Sequence, residues 1–423
     1  VTVAWWWALG CGGSEPVAPP PPVAPTPVAA PPPERAPEVA LAAPSREAIS
    51  PAAVSTDRVL DAVREQLLAV ARHHAQDPTN PWAIVHGMLA LGAEEKLTNG
   101  EDSVDWLFSH YAEVHEVGGE PLLSFPEARG GVRIEPHTDL VLKALTEGGV
   151  PPGRKVHVAD GREFPIAALY RASLHQAWVS GETNGFRGSW DDSPWALQGL
   201  AAWAPADLEW TAVGNRRVSM DAFTTQTLDT LARETRPLAE SKSKGLVAKK
   251  DTRYGIFTYT CGGAHLLMGT SYAVARGFGT EDDRRRVCEQ KDLWRYRIDV
   301  ELQAIDPALS GPLDPGLRML LLSQRLKFLG HWLEVTHKIL AMQVCPPTAE
   351  DEAANLRVLS ELAVTVDALQ KVGAFAMLPT MRTDPRLAQV PRGPEQLYLD
   401  LVGDSAHALR GLDLATGRSG VRY

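Results

Sequence analysis

From Ser55 onward, apolar residues recur at three- and four-residue intervals. Val59, Leu60, Val63, Leu67, Val70 and Ala71 fall on one helical stripe, with Thr56 or Asp57 placed to cap it. The same period predicts helices near 81–92, 103–117, 137–147, 164–180, 194–203, 218–235, 256–277, 281–304, 315–344, 349–372 and 394–411, about twelve in all. Gly118-Gly119, Gly148-Gly149, Pro151-Pro152 and Pro346-Pro347 fall between these stretches, where connections belong. The one clear β signal is Lys155 to Phe164, where Val156 and Val158 alternate with polar residues and Asp160-Gly161 supplies turn chemistry for a β-hairpin. The pattern therefore predicts an all-α body over 51–423, a single domain of consecutive helical hairpins carrying one small β-hairpin.

The chain upstream has a different character. Val3 to Leu9 is apolar, and Gly10, Cys11, Gly12, Gly13 and Ser14 follow. Residues 16–45 hold 12 of the 33 prolines. Such a segment adopts extended polyproline II and spans roughly 90 Å at about 3.1 Å per residue, so it is expected to be a disordered spacer. Residues 1–10 read as the remnant of a signal segment and 11–50 as a linker.

Composition narrows the partners. A formal charge of −10 over 423 residues opposes phosphate recognition, which needs surplus Lys and Arg on one face, so nucleic acid is excluded as a partner. No run reaches the roughly 18 apolar residues of a membrane span.

The Gly10-Cys11-Gly12 segment after an apolar stretch resembles the bacterial lipobox, although Ala8 stands where leucine is usual. The resemblance implies that the Cys11 thiol receives diacylglycerol and becomes the first residue of a mature lipoprotein held at the membrane by its lipid. Gly12, rather than aspartate, favours the outer over the inner membrane. A spacer directly behind such an anchor would hold the body clear of the bilayer. Asn184, Gly188, Ser189 and Trp190 resemble, in relaxed form, the Gln-x-x-x-Gly-x-Trp signature of squalene and terpene cyclases, with Asn in place of Gln. That resemblance implies an α/α-toroid scaffold and no particular reaction, because the catalytic Asp-rich motif of those enzymes is not matched.

Two segments echo each other. Pro81-Trp82-Ala83-Ile84 and Pro194-Trp195-Ala196-Leu197 each place proline in a first helical turn beside tryptophan. Cys261 and His265 are four residues apart, and on one helix they would present thiolate and imidazole together. His86 would join them if the two echoing segments line one cavity, giving three ligands for zinc or a Cys-His nucleophile pair. The plainer alternative takes Cys261 as a small buried residue and both histidines as satisfied core side chains. A second candidate set, Tyr170, Arg171, His175 and Asn184, has the residue types of a polysaccharide lyase. Glu334 and His337 read as a solvated helix face, and Lys242, Lys244, Lys249, Lys250 and Arg253 as a solvated basic loop. A Cys288–Cys345 disulfide is conceivable in an oxidising envelope compartment and would leave Cys261 free. Two functions stay open: a tethered lipoprotein whose body binds an envelope glycan or protein partner, and a tethered toroid enzyme with a Cys/His centre.

Overall fold

The computed structural model describes residues 47–49, 57–176, 193–250 and 260–423. Cys11, the proline-rich segment and the cyclase-like stretch from Asn184 to Trp190 lie outside the described residues. Fourteen helices occur among the described residues. Helix α1 (Arg58–His74) begins where Asp57 accepts the Val59 amide at 2.8 Å, and it buries Leu60, Val63, Leu67, Val70 and Ala71 while Val59 faces solvent. Helix α2 (Pro81–Leu91) is capped by Asn80 and starts on proline, whose missing amide hydrogen costs nothing in a first turn. The order continues through α3 (Ser103–Tyr111), α4 (Leu140–Glu147), α5 (Ala167–Gln176), α6 (Ser193–Ala201), α7 (Met220–Glu234), α8 (Arg236–Ser243) and α9 (Ala264–Ala275). Four long or late elements follow: α10 (Glu281–Leu309), α11 (Pro315–Ala341), α12 (Ala349–Lys371) and, after the short α13 (Ala374–Met377), α14 (Gly393–Ala415). Helices α10 and α12 open on capping boxes, Thr280 with Asp283 and Thr348 with Asp351.

Helix α11 is buried almost all round, with α14, α12, α10 and α9 packed against it. Its polar residues are therefore inside the body. Glu334 and His337, expected on a solvated face, are both buried, because a helix with neighbours packed on every side leaves no face for solvent. Helices α11 and α14 approach most closely at two glycines. A Cβ on Gly411 would stand 2.6 Å from the Gly330 carbonyl oxygen, and one on Gly330 would stand 2.7 Å from the Ala408 nitrogen.

The mainly helical class is as the pattern predicts, but β structure is more frequent. The expected hairpin is present as β6 (Lys155–His157) and β7 (Glu163–Pro165), with Val156 opposite Phe164 and a Gly161 at φ 82° in its loop. Strands β2 (Glu113–Val117) and β3 (Glu120–Ser124) pair across Gly118-Gly119, so the helix expected to run to 117 stops at Tyr111. Both glycines have positive φ, which a tight hairpin turn requires. A further hairpin joins β8 (Glu209–Ala212) to β9 (Arg216–Ser219), and β9 takes the start of the helix expected from 218. Short strands β4 (Ala128–Arg129) and β5 (Val132–Arg133) also pair. Finally β1 (Glu47–Ile49) runs antiparallel to β10 (Gly420–Arg422), pinning the chain just after the proline-rich segment to its far end. Cys288 of α10 and Cys345, just beyond α11, form a disulfide with Cα atoms 5.6 Å apart.

The glycine contact predicts a measurable asymmetry. Alanine is ordinarily better than glycine inside a helix by about 1 kcal/mol, yet Gly411→Ala and Gly330→Ala are each expected to lose about 1–3 kcal/mol by forcing α11 and α14 apart. Gly153, exposed with nothing near its Cβ position, serves as the control and should stay within about 0.5 kcal/mol. Urea unfolding of the three variants decides it; Gly411→Ala behaving like Gly153→Ala would refute the close approach.

Candidate functional site

The echoing Pro-Trp-Ala segments form the first turns of α2 and α6, and both tryptophans reach one cavity. Trp82 and His86 from α2, Trp195 from α6, His265 from α9, Lys327 and His331 from α11, and Asp400, Asp404 and His407 from α14 line it, with His137 from the approach to α4. The cavity measures about 30 Å³. At roughly 10–15 Å³ for each water position, it holds two waters or one ion.

Four imidazoles meet there. His331 and His407 lie 4.0 Å apart between ring centroids, His86 and His407 5.3 Å, His265 and His331 5.3 Å, and His265 and His407 6.0 Å. Tryptophan backs the group on two sides: Trp82 packs on His86 at 4.0 Å, and Trp195 on His265 at 4.6 Å. Three of the rings are oriented through Nδ1. His86 Nδ1 lies 2.8 Å from the Trp82 carbonyl, His331 Nδ1 lies 2.8 Å from the Lys327 carbonyl, and His407 Nδ1 lies 2.6 Å from Glu334 Oε2. Carbonyl and carboxylate oxygens only accept, so each of these Nδ1 atoms carries a proton, and in His86 and His331, which burial keeps neutral, Nε2 keeps its lone pair. The Nδ1 of His265 has no hydrogen-bond partner among the described residues. Burial pushes His86 down to about 3, and pushes His265 and His331 well below the usual imidazole value.

Behind the rings runs a buried charged chain. Lys338 donates to Glu334 at 2.5 Å and to both oxygens of Glu147 at 2.7 Å. Lys143 stands 3.8 Å from Glu147, and Gln198 also donates to Glu147. Burial pushes the Glu334 carboxyl up, but Lys338 and His407 outweigh it and hold it well below the usual carboxylate range. At the other end Lys327 lies 3.3 Å from Asp400 and 3.7 Å from Asp404. Burial, helped by the Asp400 charge, pushes Asp404 well above its ordinary value despite Lys327.

The cavity contains two of the three residues expected to form a Cys/His centre, His86 and His265. Cys261 is not with them. It sits in a turn, Gly263 takes φ 82°, and α9 starts only at Ala264, so Cys261 and His265 do not share a helix face. Its buried sulfur is disulfide-bonded and offers no thiolate. The expectation of a free Cys261 is thus corrected. Among the described residues no three His, Cys, Asp or Glu side chains are already gathered to hold a metal ion. Of the lyase-like set, Tyr170, Arg171 and His175 lie on α5 away from the cavity wall, and Asn184 lies outside the described residues. Tyr170 bonds Thr146 at 2.7 Å in the core. Lys250, expected on a solvated loop, pairs with buried Glu301 at 2.6 Å; Arg253 lies outside the described residues. His331, His407 and Glu334 were missed by sequence reasoning. The available signal was the presence of ionisable residues at spacings of three and four within two strongly apolar helices, Lys327-His331-Glu334-Lys338 and Asp400-Asp404-His407.

Fold and site together define a mainly helical body with a buried histidine cavity at the meeting of α2, α6, α9, α11 and α14. Comparison with protein-family models, curated proteins and solved structures finds no match to this chain.

Acid should weaken the fold before it touches the carboxylates. His86, His265 and His331 are neutral when folded and protonate near 6.5 once unfolded, so below that pH the unfolded chain binds three more protons at these sites. Asp404, whose carboxyl burial pushes upward, works in the opposite direction by at most one proton. The balance, three against one, favours unfolding as pH falls. Each uncompensated proton costs about 1.4 kcal/mol per pH unit, so the urea midpoint should drop between about pH 6.5 and about pH 5. His86→Gln should flatten that slope, and a midpoint constant over the interval would contradict neutral burial of the cluster.

Proposed function

We propose that this chain is a membrane-tethered cell-envelope lipoprotein whose helical body carries an active site for a small polar ligand, or for the terminus of an envelope polymer. The observation that carries the site is the His407–Glu334 pair opening on the cavity. A carboxylate that fixes Nδ1–H leaves Nε2 as a base aimed away from it, the arrangement proton-transfer chemistry needs. Glu334 is itself held in place by Lys338, so the imidazole has little freedom to turn. A cavity of about 30 Å³ admits a small group and excludes the body of a glycan chain, which could enter only by its end.

The tether reading draws on the lipobox-like Cys11 and the proline-rich spacer. The Cys288–Cys345 disulfide favours an oxidising compartment outside the cytoplasm. Lipid on the Cys11 thiol would supply the membrane contact, with the outer membrane preferred; because Cys288 and Cys345 are paired, Cys11 is the one cysteine of the chain left for Cys261, so the anchored protein would lack the Cys261 disulfide. Zinc belongs to the same reading, since neutral imidazoles are its common ligands, with His86 and His265 kept from the expected set and Cys261 removed from it.

Two experiments test this. Full chain assayed against chromogenic ester, amide and glycoside panels should show turnover that falls on the order of 100-fold in His407→Ala and in Glu334→Gln, with helical circular dichroism retained. Unchanged turnover in both variants overturns the site. Failure to turn over any member of the panels, together with envelope-polymer binding that ignores both variants, would assign the body to recognition without chemistry. For the tether, the chain expressed behind a complete lipoprotein signal should incorporate labelled palmitate, and Cys11→Ala should not; unlabelled parent protein in a competent host removes the anchor.

A further inference from the structure

We propose that the cavity takes one divalent transition-metal ion on an all-imidazole ligand set, with His331 and His407 at its centre and His86 and His265 closing it. The proposal rests on reading this cavity as the functional centre, and it replaces Cys261 by two ligands, His331 and His407, that the sequence did not suggest.

Four helices contribute one histidine each: α2, α9, α11 and α14. A single core histidine is ordinary, whereas a connected cluster of four rings, in which His407 touches the other three and His265 also touches His331, around a space for one ion or two waters is not explained by apolar packing. Imidazoles sharing an ion at about 2.1 Å place their ring centroids roughly 5 Å apart. The observed separations, 4.0, 5.3, 5.3 and 6.0 Å, bracket that value.

The surroundings match what metal-bound histidines require. A ligating imidazole donates its other ring nitrogen to a carbonyl or carboxylate, which fixes the tautomer and raises ligand basicity. His86 and His331 have backbone carbonyls in that place, and His407 has Glu334. The nitrogen left over in each case is Nε2. The His331 and His407 rings lie against one another, tilted by 34°. Histidine χ2 is a broad torsion, so small ring turns can aim neighbouring nitrogens at a common point without moving the helices.

Charge also permits a cation. Lys143, Lys327 and Lys338 supply three formal positive charges around the cavity and its rear wall, and Glu147, Glu334 and Asp400 supply three negative ones, a formal balance of zero, with Asp404 pushed toward its neutral form. A dication would therefore enter surroundings that are formally neutral and would favour ionisation of Asp404 beside it. An all-nitrogen set suits zinc, copper, nickel or iron and disfavours calcium or magnesium, which need oxygen ligands.

The test uses full chain stripped of metal by chelator and titrated with cobalt(II). Stoichiometric uptake with visible ligand-field bands, reversed by zinc, is expected. His331→Ala and His407→Ala should each abolish the bands, and Glu334→Gln should weaken binding about 10–100-fold while the ligands remain. Should the alanine variants unfold, His331→Gln and His407→Gln, checked by circular dichroism, carry the same expectation. Absence of cobalt uptake by folded parent protein overturns the proposal, as does uptake indifferent to His331 and His407. The two readings separate cleanly: His407-dependent turnover that persists in chelator removes the metal and leaves the site, whereas metal uptake without turnover leaves the metal and removes the activity.

Discussion

The contact between α11 and α14 is the constraint on which the interior depends. At Gly330 and Gly411 the two helices meet backbone to backbone, with no side chain between them. One turn along α11 from Gly330 is Glu334, and one turn back along α14 from Gly411 is His407. Bringing the glycines together places that carboxylate and that imidazole within 2.6 Å. A wider helix spacing, filled by ordinary leucines, would leave Glu334 buried without its histidine. The same approach sets Lys327 against Asp400 and Asp404 one to two turns away. Packing and polar pairing are therefore one feature of the fold, seen at two places along the same seam.

That seam is expensive to maintain. Removing a carboxylate or ammonium from water costs several kcal/mol per ion even after relaxation, and well-packed apolar residues of similar volume are often as stable or more so. Lys338 is completely buried between Glu147 and Glu334, with its donors committed and its neighbours positioned by α4 as well as α11. Elsewhere the body has a conventional core, with Leu326, Leu329, Leu333, Val335 and Ile339 on the same helix fully buried among apolar partners. Ionisable groups retained in a helix otherwise committed to apolar packing, with Lys327 and His331 bordering a cavity, are the kind of perturbed cluster that a functional site leaves in a core.

Much of this was legible in the chain, and the limits of legibility have physical causes. The helical class followed from periodicity, and Asp57, Asn80 and the proline-led first turns of α2 and α6 are local signals that the structure honours. Placing His86 and His265 at one cavity followed from the likeness of the Trp82 and Trp195 segments. Cys261 failed because spacing of four implies a shared face only inside a helix, and Gly263 in the left-handed region ends that continuity. The hairpin at Glu113–Ser124 was hidden because its strands show little alternation, and the one at Glu209–Ser219 because only its four-residue first strand alternates, too short a run to stand out. Glu334 was read as solvated because its neighbours at three and four residues, His337, His331 and Lys338, are polar; a buried polar stripe and a solvated one look alike until the partner helix is known.

The partner helix also explains why the site is built from distant pieces. His86 and His407 are more than three hundred residues apart, yet α1 and α2 pack on α14, and β1 pairs with β10 just beyond it. The early and late parts of the body are thus fastened together directly behind the cavity, with Arg64 of α1 making two hydrogen bonds to Asp413 of α14 at 2.6 and 3.0 Å. On the opposite flank the Cys288–Cys345 disulfide joins α10 to the end of α11. Closing both sides restrains α11 and α14 where their histidines meet, so the rings are positioned by rigid helices rather than by loops.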